Sequence, residues 1–158
     1  MTRNFDYLGK DLAVAPFLVA HDASAMDLTT QTRLVRGSGA GGGVTDVRDL
    51  QTVTGRDNLA HALLLRLLTP RGALADLGHA AYGSRLHELI GRQKTGALRD
   101  LCRAFVLEVV AQEPRVVDKA VDLTFDVLAE TAESFVFTLA VRPVEGGDPV
   151  MLGLEVGL

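Results

Sequence analysis

The most regular pattern of apolar and polar positions lies between Thr95 and Pro114. Apolar residues recur there at spacings of three and four, which predicts an α-helix with one buried face. Thr95 can cap the N-terminus of this helix, and Pro114 ends it. The predicted buried face consists of Leu98, Leu101, Cys102, Phe105, Val106, Val109 and Val110.

A second helix is predicted from Asp57 or Asn58, either of which can cap it, to about Leu68. Leucines occupy every side of this segment, so we expect the helix to lie in the core or under a partner. The sequence Thr-Pro-Arg-Gly at residues 69–72 then ends the helix. A short third helix is predicted from about Ser84 to Ile90.

Alternation with a period of two predicts strands towards both ends of the chain. Three C-terminal strands, the last two joined by a turn at 145–148, are predicted at residues 121–127, 135–141 and 150–156. An N-terminal hairpin with strands at 28–35 and 44–53 surrounds a glycine-rich loop at 37–43, after an irregular arm or edge segment at 12–20. We therefore predict an α+β fold, with helices packed on a C-terminal antiparallel β-meander and an N-terminal strand or hairpin arm.

Composition and charge narrow the class of protein. The chain has 158 residues, 47% of them apolar, which predicts one domain with a buried core and excludes an intrinsically disordered chain. A net charge of −4 disfavours a nucleic-acid-binding face. No apolar run approaches the roughly 20 residues of a membrane helix, and the N-terminus lacks the layout of a signal peptide. We therefore expect neither a nucleic acid nor a membrane as partner.

Two patterns that could bind a cofactor or a metal favour a structural interpretation. Gly37, Gly39 and Gly42 fit G-x-G-x-x-G, but the next residues do not form the helix that a dinucleotide site needs. We interpret them as a flexible loop. None of the four histidines forms a pair with zinc-ligand spacing. The sequence therefore predicts no cofactor and no metal site.

Candidate catalytic side chains are equally weak. Cys102 lies on the predicted buried face, whereas a nucleophilic thiol needs exposure and a lowered pKa. Asp122 and Asp126 share a strand face, as a glycosidase pair could, but an exposed polar face explains them without chemistry. Aromatic residues, the usual platforms for sugars, make up 5% of the chain and include no tryptophan.

The tripeptide Glu113-Pro114-Arg115 lies at the junction between the long helix and the meander. Proline fixes the backbone and removes a hydrogen-bond donor, so it holds the flanking charges in set directions. The tripeptide is either a helix stop with an incidental acid and base or a recognition motif. Thirteen of the 16 cationic residues are arginine. This excess of arginine over lysine results either from a coding bias or from arginines that pair with carboxylates of neighbouring subunits. Both questions stay open on spacing and composition alone.

Four short blocks occur in a characteristic order along the chain. They are VTGRDNL at Val53–Leu59, RLLTPRG at Arg66–Gly72, YGSRL at Tyr82–Leu86 and EPR at Glu113–Arg115. This set resembles the baseplate-wedge family of contractile injection systems, which includes the lysozyme-like wedge protein of contractile-tailed phages and the wedge subunit of type VI secretion. The resemblance covers residues 46–158 as a wedge-like α+β domain and leaves residues 1–45 as an N-terminal arm.

The resemblance implies a structural protein of the inner baseplate ring, without catalytic residues, cofactors or metals. It implies that the chain joins other wedge proteins to the central hub and spike, and is the platform on which sheath subunits assemble. Glu113, Pro114 and Arg115 then correspond to the motif of wedge assembly, and Tyr82, Gly83 and Ser84 to a family turn. We expect several copies in a ring, with six as the expected number.

Where the protein works follows from the same resemblance. We expect it in the cytoplasm during assembly and then in a phage-tail-like particle, either retained or released.

The meander also leaves edge strands, and an edge is a template for adding a partner's strand. Two alternatives are a lysozyme-like enzyme that cleaves peptidoglycan and a binding adaptor unrelated to injection machines.

Overall fold

The computed structural model of the chain describes residues 8–16, 26–28, 30–36, 44–144 and 146–158. The predicted glycine-rich loop at 37–43 lies outside these residues, as do His21, Glu145 and residues 17–20 of the predicted arm at 12–20. The fold is α+β, as predicted, with two α-helices and antiparallel sheets. By compactness the chain divides into two units, Met1–His61 and Ala62–Leu158. The division at residue 45, which the resemblance implies, stays a prediction.

The first unit contains three two-stranded antiparallel pairs. The pairs are β1 (Lys10–Leu12) with β6 (Thr52–Thr54), β2 (Val14–Pro16) with β3 (Met26–Leu28), and β4 (Thr30–Arg36) with β5 (Val44–Leu50). Pairing of β4 with β5 confirms the predicted hairpin. Its register runs from Thr30 opposite Leu50 to Arg36 opposite Val44.

Helix α1 (Gly55–Leu68) begins earlier than the sequence predicts. The prediction that Asp57 or Asn58 caps it is wrong, because both lie inside its first turns. The side chain of Asn58 instead donates a hydrogen bond to the carbonyl oxygen of Leu8, at 2.7 Å, and is buried. This contact spans fifty residues of chain, so local sequence cannot indicate it. The helix ends before residues 69–72, as predicted.

Helix α2 (Gly96–Ala111) follows the prediction closely. The hydroxyl oxygen of Thr95 accepts a hydrogen bond from the backbone N–H of Leu98, at 3.1 Å, which confirms the N-cap. Leu101 is half-buried, while the other six residues of the predicted face are buried. Between the two helices, short 3-10 turns occur at Ala75–Leu77 and Leu86–Leu89, the second within the predicted short helix.

The C-terminal meander consists of β7 (Val116–Phe125), β8 (Ser134–Pro143) and β9 (Val150–Gly157), paired in the order β7-β8-β9. Its apolar rows cross all three strands, and α2 contacts β7. These rows contribute to the core of the second unit together with the buried face of α2, and they are Val121–Val141–Val150, Leu123–Leu139–Leu152 and Phe125–Phe137–Leu154.

The prediction that Val127 belongs to the first of these strands is wrong, because β7 ends at Phe125. The carboxylate of Asp126 accepts hydrogen bonds from the backbone N–H groups of Leu128 and Ala129, at 3.1 and 3.3 Å, and turns the chain there. Val127 is exposed as a result. Across the part of the chain that the structure describes, no helix is long and apolar enough to span a membrane.

Candidate functional site

The Glu113-Pro114-Arg115 tripeptide forms a tight turn between α2 and β7. The backbone N–H of Val116 donates to the carbonyl oxygen of Glu113, at 3.1 Å, so Pro114 occupies the second position of a four-residue turn. Proline suits this position because its φ is already fixed and it has no N–H to satisfy. The backbone N–H of Val144 donates to the carbonyl oxygen of Arg115, at 3.0 Å, which ties the turn to the end of β8.

The two charges of the tripeptide bind each other. Nε of Arg115 lies 2.6 Å from Oε1 of Glu113, and its terminal nitrogen Nη2 lies 3.0 Å from Oε2. The backbone N–H of Arg115 also donates to Oε1, at 3.3 Å. The Glu113 side chain is 4% exposed and that of Arg115 is 23% exposed, so the pair is bidentate and largely removed from water.

The environment of Glu113 keeps it ionised. Burial alone raises its pKa, but the hydrogen bonds from Arg115 and the positive charges of Arg115 and Arg66 outweigh burial. The pKa of Glu113 therefore lies below its ordinary value. A carboxylate held in this way is not a general acid near neutral pH, since such an acid needs a raised pKa.

Ser84, of the predicted family turn, fastens the end of α1. Its hydroxyl donates to the carbonyl oxygen of Leu67, at 2.6 Å, and its backbone N–H donates to that of Thr69, at 2.8 Å. The backbone N–H of Arg71 in turn donates to the carbonyl oxygen of Ser84, at 2.8 Å. Ser84 is buried, so these bonds are shielded from water. They form an isolated parallel bridge between Pro70 and Ser84.

Gly83 allows this bridge to form. Its φ is +105°, and a Cβ placed on it would lie 2.5 Å from the carbonyl oxygen of Thr69 and 2.8 Å from that of Pro70. No side chain can occupy such a space without moving the backbone. Tyr82, Gly83 and Ser84 therefore act as a structural fastening for the segment that follows α1.

Arg66 connects the two motifs. Its guanidinium carbon lies 4.7 Å from the centroid of the Tyr82 ring, and its Nη1 donates to Oε1 of Gln112, at 3.3 Å. Gln112 immediately precedes Glu113, whose pKa is lowered in part by the Arg66 charge. Arg66, Gln112 and residues 78–82 line a cleft of about 300 Å³.

The sequence did not single out Arg66 or Gln112 as site residues. Arg66 belongs to one of the four ordered blocks and lies in the last turn of α1, where a cation is favoured by the helix dipole. That signal is common to many helices. Gln112 lies 46 residues further along the chain, so only the tertiary fold brings the two together.

A second charged cluster, also missed from the sequence, joins the start of α2 to the turn between β7 and β8. Glu130 pairs with Lys94 at 2.8 Å and with Arg99 at 2.5 Å, and its side chain is 2% exposed. Burial raises the pKa of Glu130, but the hydrogen bonds from Lys94 and Arg99 outweigh it and lower the pKa overall. This cluster fastens two elements together, and it lies outside the cleft.

Cys102, which the sequence predicts to be unreactive as a nucleophile, lies in the core. The residue is fully buried, and burial raises the pKa of its thiol to about 11, so it is not a nucleophile in the folded protein. His61 contacts the backbone of Val14, with Nε2 at 2.8 Å from the carbonyl oxygen. Among the described residues, no group of three or more histidine, cysteine or acidic side chains is placed to hold a metal ion.

Comparisons with known proteins add no relative to this picture. No family model, no curated protein and no solved structure matches the chain. The functional assignment therefore depends on the four ordered sequence blocks and on the arrangement of the Glu113–Arg115 pair, the Ser84 bridge and the Arg66 cleft.

Proposed function

We propose that the protein is a structural, non-enzymatic baseplate component of a contractile injection system. In this role it joins wedge proteins to the central hub and is the platform for sheath assembly. The observation that carries the proposal is the buried bidentate pair of Glu113 and Arg115, in the turn that the resemblance associates with wedge assembly. The order of the four sequence blocks supports the same role.

The geometry of the turn suits a joint between subunits. Glu113 and Arg115 satisfy each other, while Pro114 between them is exposed at the tip. A proline tip held from both sides loses little conformational entropy when a partner binds it, which favours assembly. The same turn ends α2 and begins β7, so a contact there bears directly on both elements.

Strand β9 supports the role as a platform for the sheath. It pairs with β8 along its whole length, and among the described residues no strand pairs with its other edge. An unpaired edge can accept a strand from a partner. The opposite edge strand, β7, is less regular, because its register shifts between Val116 and Val121. A shift of this kind impairs pairing with a further strand, so β9 is the better template.

The lysozyme-like alternative gains no support from the acidic pair weighed for it. Asp122 lies within β7, whereas Asp126 lies beyond the end of this strand at Phe125, so the two no longer share a strand face. Asp126 also binds two backbone N–H groups of the following turn, which gives it a structural role.

The proposal is tested by neutralising each member of the buried pair in an assembling system. Glu113→Gln and Arg115→Gln are each co-expressed with sheath, tube, spike and wedge proteins in a system in which the wild-type chain yields sheathed particles. Breaking a buried ion pair costs about 3–5 kcal/mol, so we expect at least a tenfold loss of sheathed particles by negative-stain electron microscopy. Glu88→Gln is the matched control, because its pair with Arg85 is far more exposed and contributes about 0–1 kcal/mol.

Loss of folding is separated from loss of assembly by a third variant. Pro114→Ala keeps both charges and changes only the exposed tip of the turn. Circular dichroism of the purified variants identifies those that are folded at the assembly temperature. Full yields of sheathed particles from folded Glu113→Gln, Arg115→Gln and Pro114→Ala would refute a role for this turn in assembly. Clearing of purified cell walls by the wild-type chain would instead establish the enzymatic alternative.

A further inference from the structure

Arg66 differs from the other half-buried arginines of the second unit. Arg85, Arg99 and Arg115 each form an ion pair with a carboxylate of that unit. Arg66 is half-buried, yet no carboxylate among the described residues lies within ion-pair distance of it. A half-buried guanidinium without a carboxylate is costly unless something else satisfies it.

The bonds that Arg66 makes leave most of its donors unused. A guanidinium has five N–H donors. One of them reaches Gln112 over a long 3.3 Å, and Nε is buried with no hydrogen-bond partner among the described residues. Glu113 is near enough for the Arg66 charge to lower its pKa, but both of its oxygens are bound by Arg115. The local charge of Arg66, Arg115 and Glu113 is therefore +1.

The cleft beside Arg66 suits a single acidic side chain. Its volume of about 300 Å³ is at the small end of ligand sites and fits one or two side chains. Arg66 is the only arginine, lysine, aspartate or glutamate among its lining residues. The Tyr82 ring lies against one face of the guanidinium. The edge of the guanidinium, where its N–H groups point, therefore stays available to a planar partner that accepts two hydrogen bonds.

The size of the charge indicates which anion binds. Phosphate groups carry up to two negative charges and are bound by several cations or by a helix N-terminus. This cleft offers one permanent cation, Arg66, besides the imidazole of His79, and a single permanent cation matches the single charge of a carboxylate. Ala80 and Ala81 also line it, and their backbone N–H groups donate to no described residue, so they add neutral donors for a carboxylate oxygen.

We propose that the Arg66 cleft is a recognition site for an aspartate or glutamate side chain on a partner protein, which completes the missing ion pair. The identity of that partner as another baseplate protein rests on the proposed function. The carboxylate specificity rests only on Arg66, Tyr82, Gln112 and the cleft that they line. The site therefore lies next to the Glu113–Arg115 turn and is a second contact distinct from it.

The experiment titrates the purified full chain with a blocked tripeptide that has glutamate at its centre. The reporters are the NMR resonances of the Gln112 side-chain amide and of the Ala80 and Ala81 backbone N–H groups, which line the cleft beside Arg66. We expect a saturable shift in these resonances. The tripeptide with glutamine at its centre is expected to bind at least tenfold more weakly, because it lacks the charge that pairs with the guanidinium.

Variants assign the binding to the guanidinium. Arg66→Gln is expected to weaken binding of the glutamate tripeptide at least tenfold, as measured from the Gln112 amide. Arg66→Lys keeps the charge but loses the planar fork, so an intermediate loss is expected. Arg92→Gln is the matched control, because Arg92 is exposed and lies outside the cleft, and binding should not change.

Other probes decide between sources of the anion. Binding of glutarate without binding of the glutamate tripeptide would make the cleft a small-molecule site and overturn the assignment to a partner protein. Preference for inorganic phosphate over the glutamate tripeptide, or equal binding of the glutamate and glutamine tripeptides, would overturn carboxylate recognition. No baseplate protein is present in this titration. A chain that binds the tripeptide and still builds no baseplate therefore keeps the site and refutes the proposed function alone.

Discussion

Replacing Gly83 by alanine is expected to break the bridge that fastens the end of α1. A Cβ at this position would lie 2.5, 2.8 and 2.9 Å from the backbone atoms Thr69 O, Pro70 O and Arg71 N. All three are backbone atoms, so no side-chain rotation relieves the overlap. Overpacking of this kind costs about 1–3 kcal/mol, and a φ of +105° adds about 1–3 kcal/mol for a residue with a side chain.

The two costs together predict that Gly83→Ala lowers the free energy of unfolding by about 4 kcal/mol. That is a large part of the 5–15 kcal/mol that is typical of a small protein. Gly91→Ala is the matched control, because Gly91 has a φ of +77° but a Cβ placed on it would meet no atom within 4 Å. It should therefore cost only the backbone strain, about 1–2 kcal/mol.

The measurement is urea unfolding of both variants, followed by circular dichroism in the far ultraviolet. The difference between them isolates the close approach of the backbones, and we expect it to be about 2 kcal/mol. Amide hydrogen exchange locates the effect, since the N–H groups of Arg71 and Ser84 should lose protection in Gly83→Ala and keep it in Gly91→Ala. Equal stability of the two variants would refute the close approach at Gly83.

Two further predictions concern groups whose pKa is shifted. Glu113 has a folded pKa below its unfolded value, so its stabilising contribution is complete above about pH 4.5 and is lost as the pH falls through the folded pKa. Urea unfolding between pH 7 and pH 3 should therefore show a larger loss of stability in the wild type than in Glu113→Gln, and equal losses would contradict it. Cys102, with a pKa of about 11, is about 0.1% thiolate at pH 8 and buried, so iodoacetamide should modify it at least a hundredfold more slowly in the folded protein than in urea. Rapid labelling of the folded chain would show that the thiol is accessible.

Local patterns predicted the elements whose stabilising contacts are local or periodic. The face of α2 and its Thr95 cap could be predicted because both depend on residues within a few positions of each other. The order of the meander could be predicted because its strands are consecutive and joined by short turns. The end of β7 was missed although the signal was present, since aspartate followed by an exposed turn is typical of the Asp126 geometry.

Contacts between distant segments could not be predicted in the same way. The sequence predicts that Asn58 caps a helix, but its side chain donates a hydrogen bond to the carbonyl oxygen of Leu8. Only the folded chain brings these two residues together. The pairing of Glu130 with Lys94 and Arg99 likewise depends on how the β7–β8 turn lies over the start of α2. At the candidate site, the position of the tripeptide between helix and meander was predicted from the sequence, whereas the cleft at Arg66 requires a contact between Arg66 and Gln112, 46 residues apart.

The Ser84 bridge has a consequence for the order in which the cleft forms during folding. The bridge joins Pro70 to Ser84, so the segment that carries Tyr82 is closed by contacts of low sequence separation, which form early. Gln112 reaches Arg66 only when α2 has docked, across 46 residues of chain. We therefore expect the segment that carries Tyr82 to become ordered before the Gln112 wall of the cleft is added. Under the proposed recognition of an acidic side chain, the site is complete only once α2 has docked.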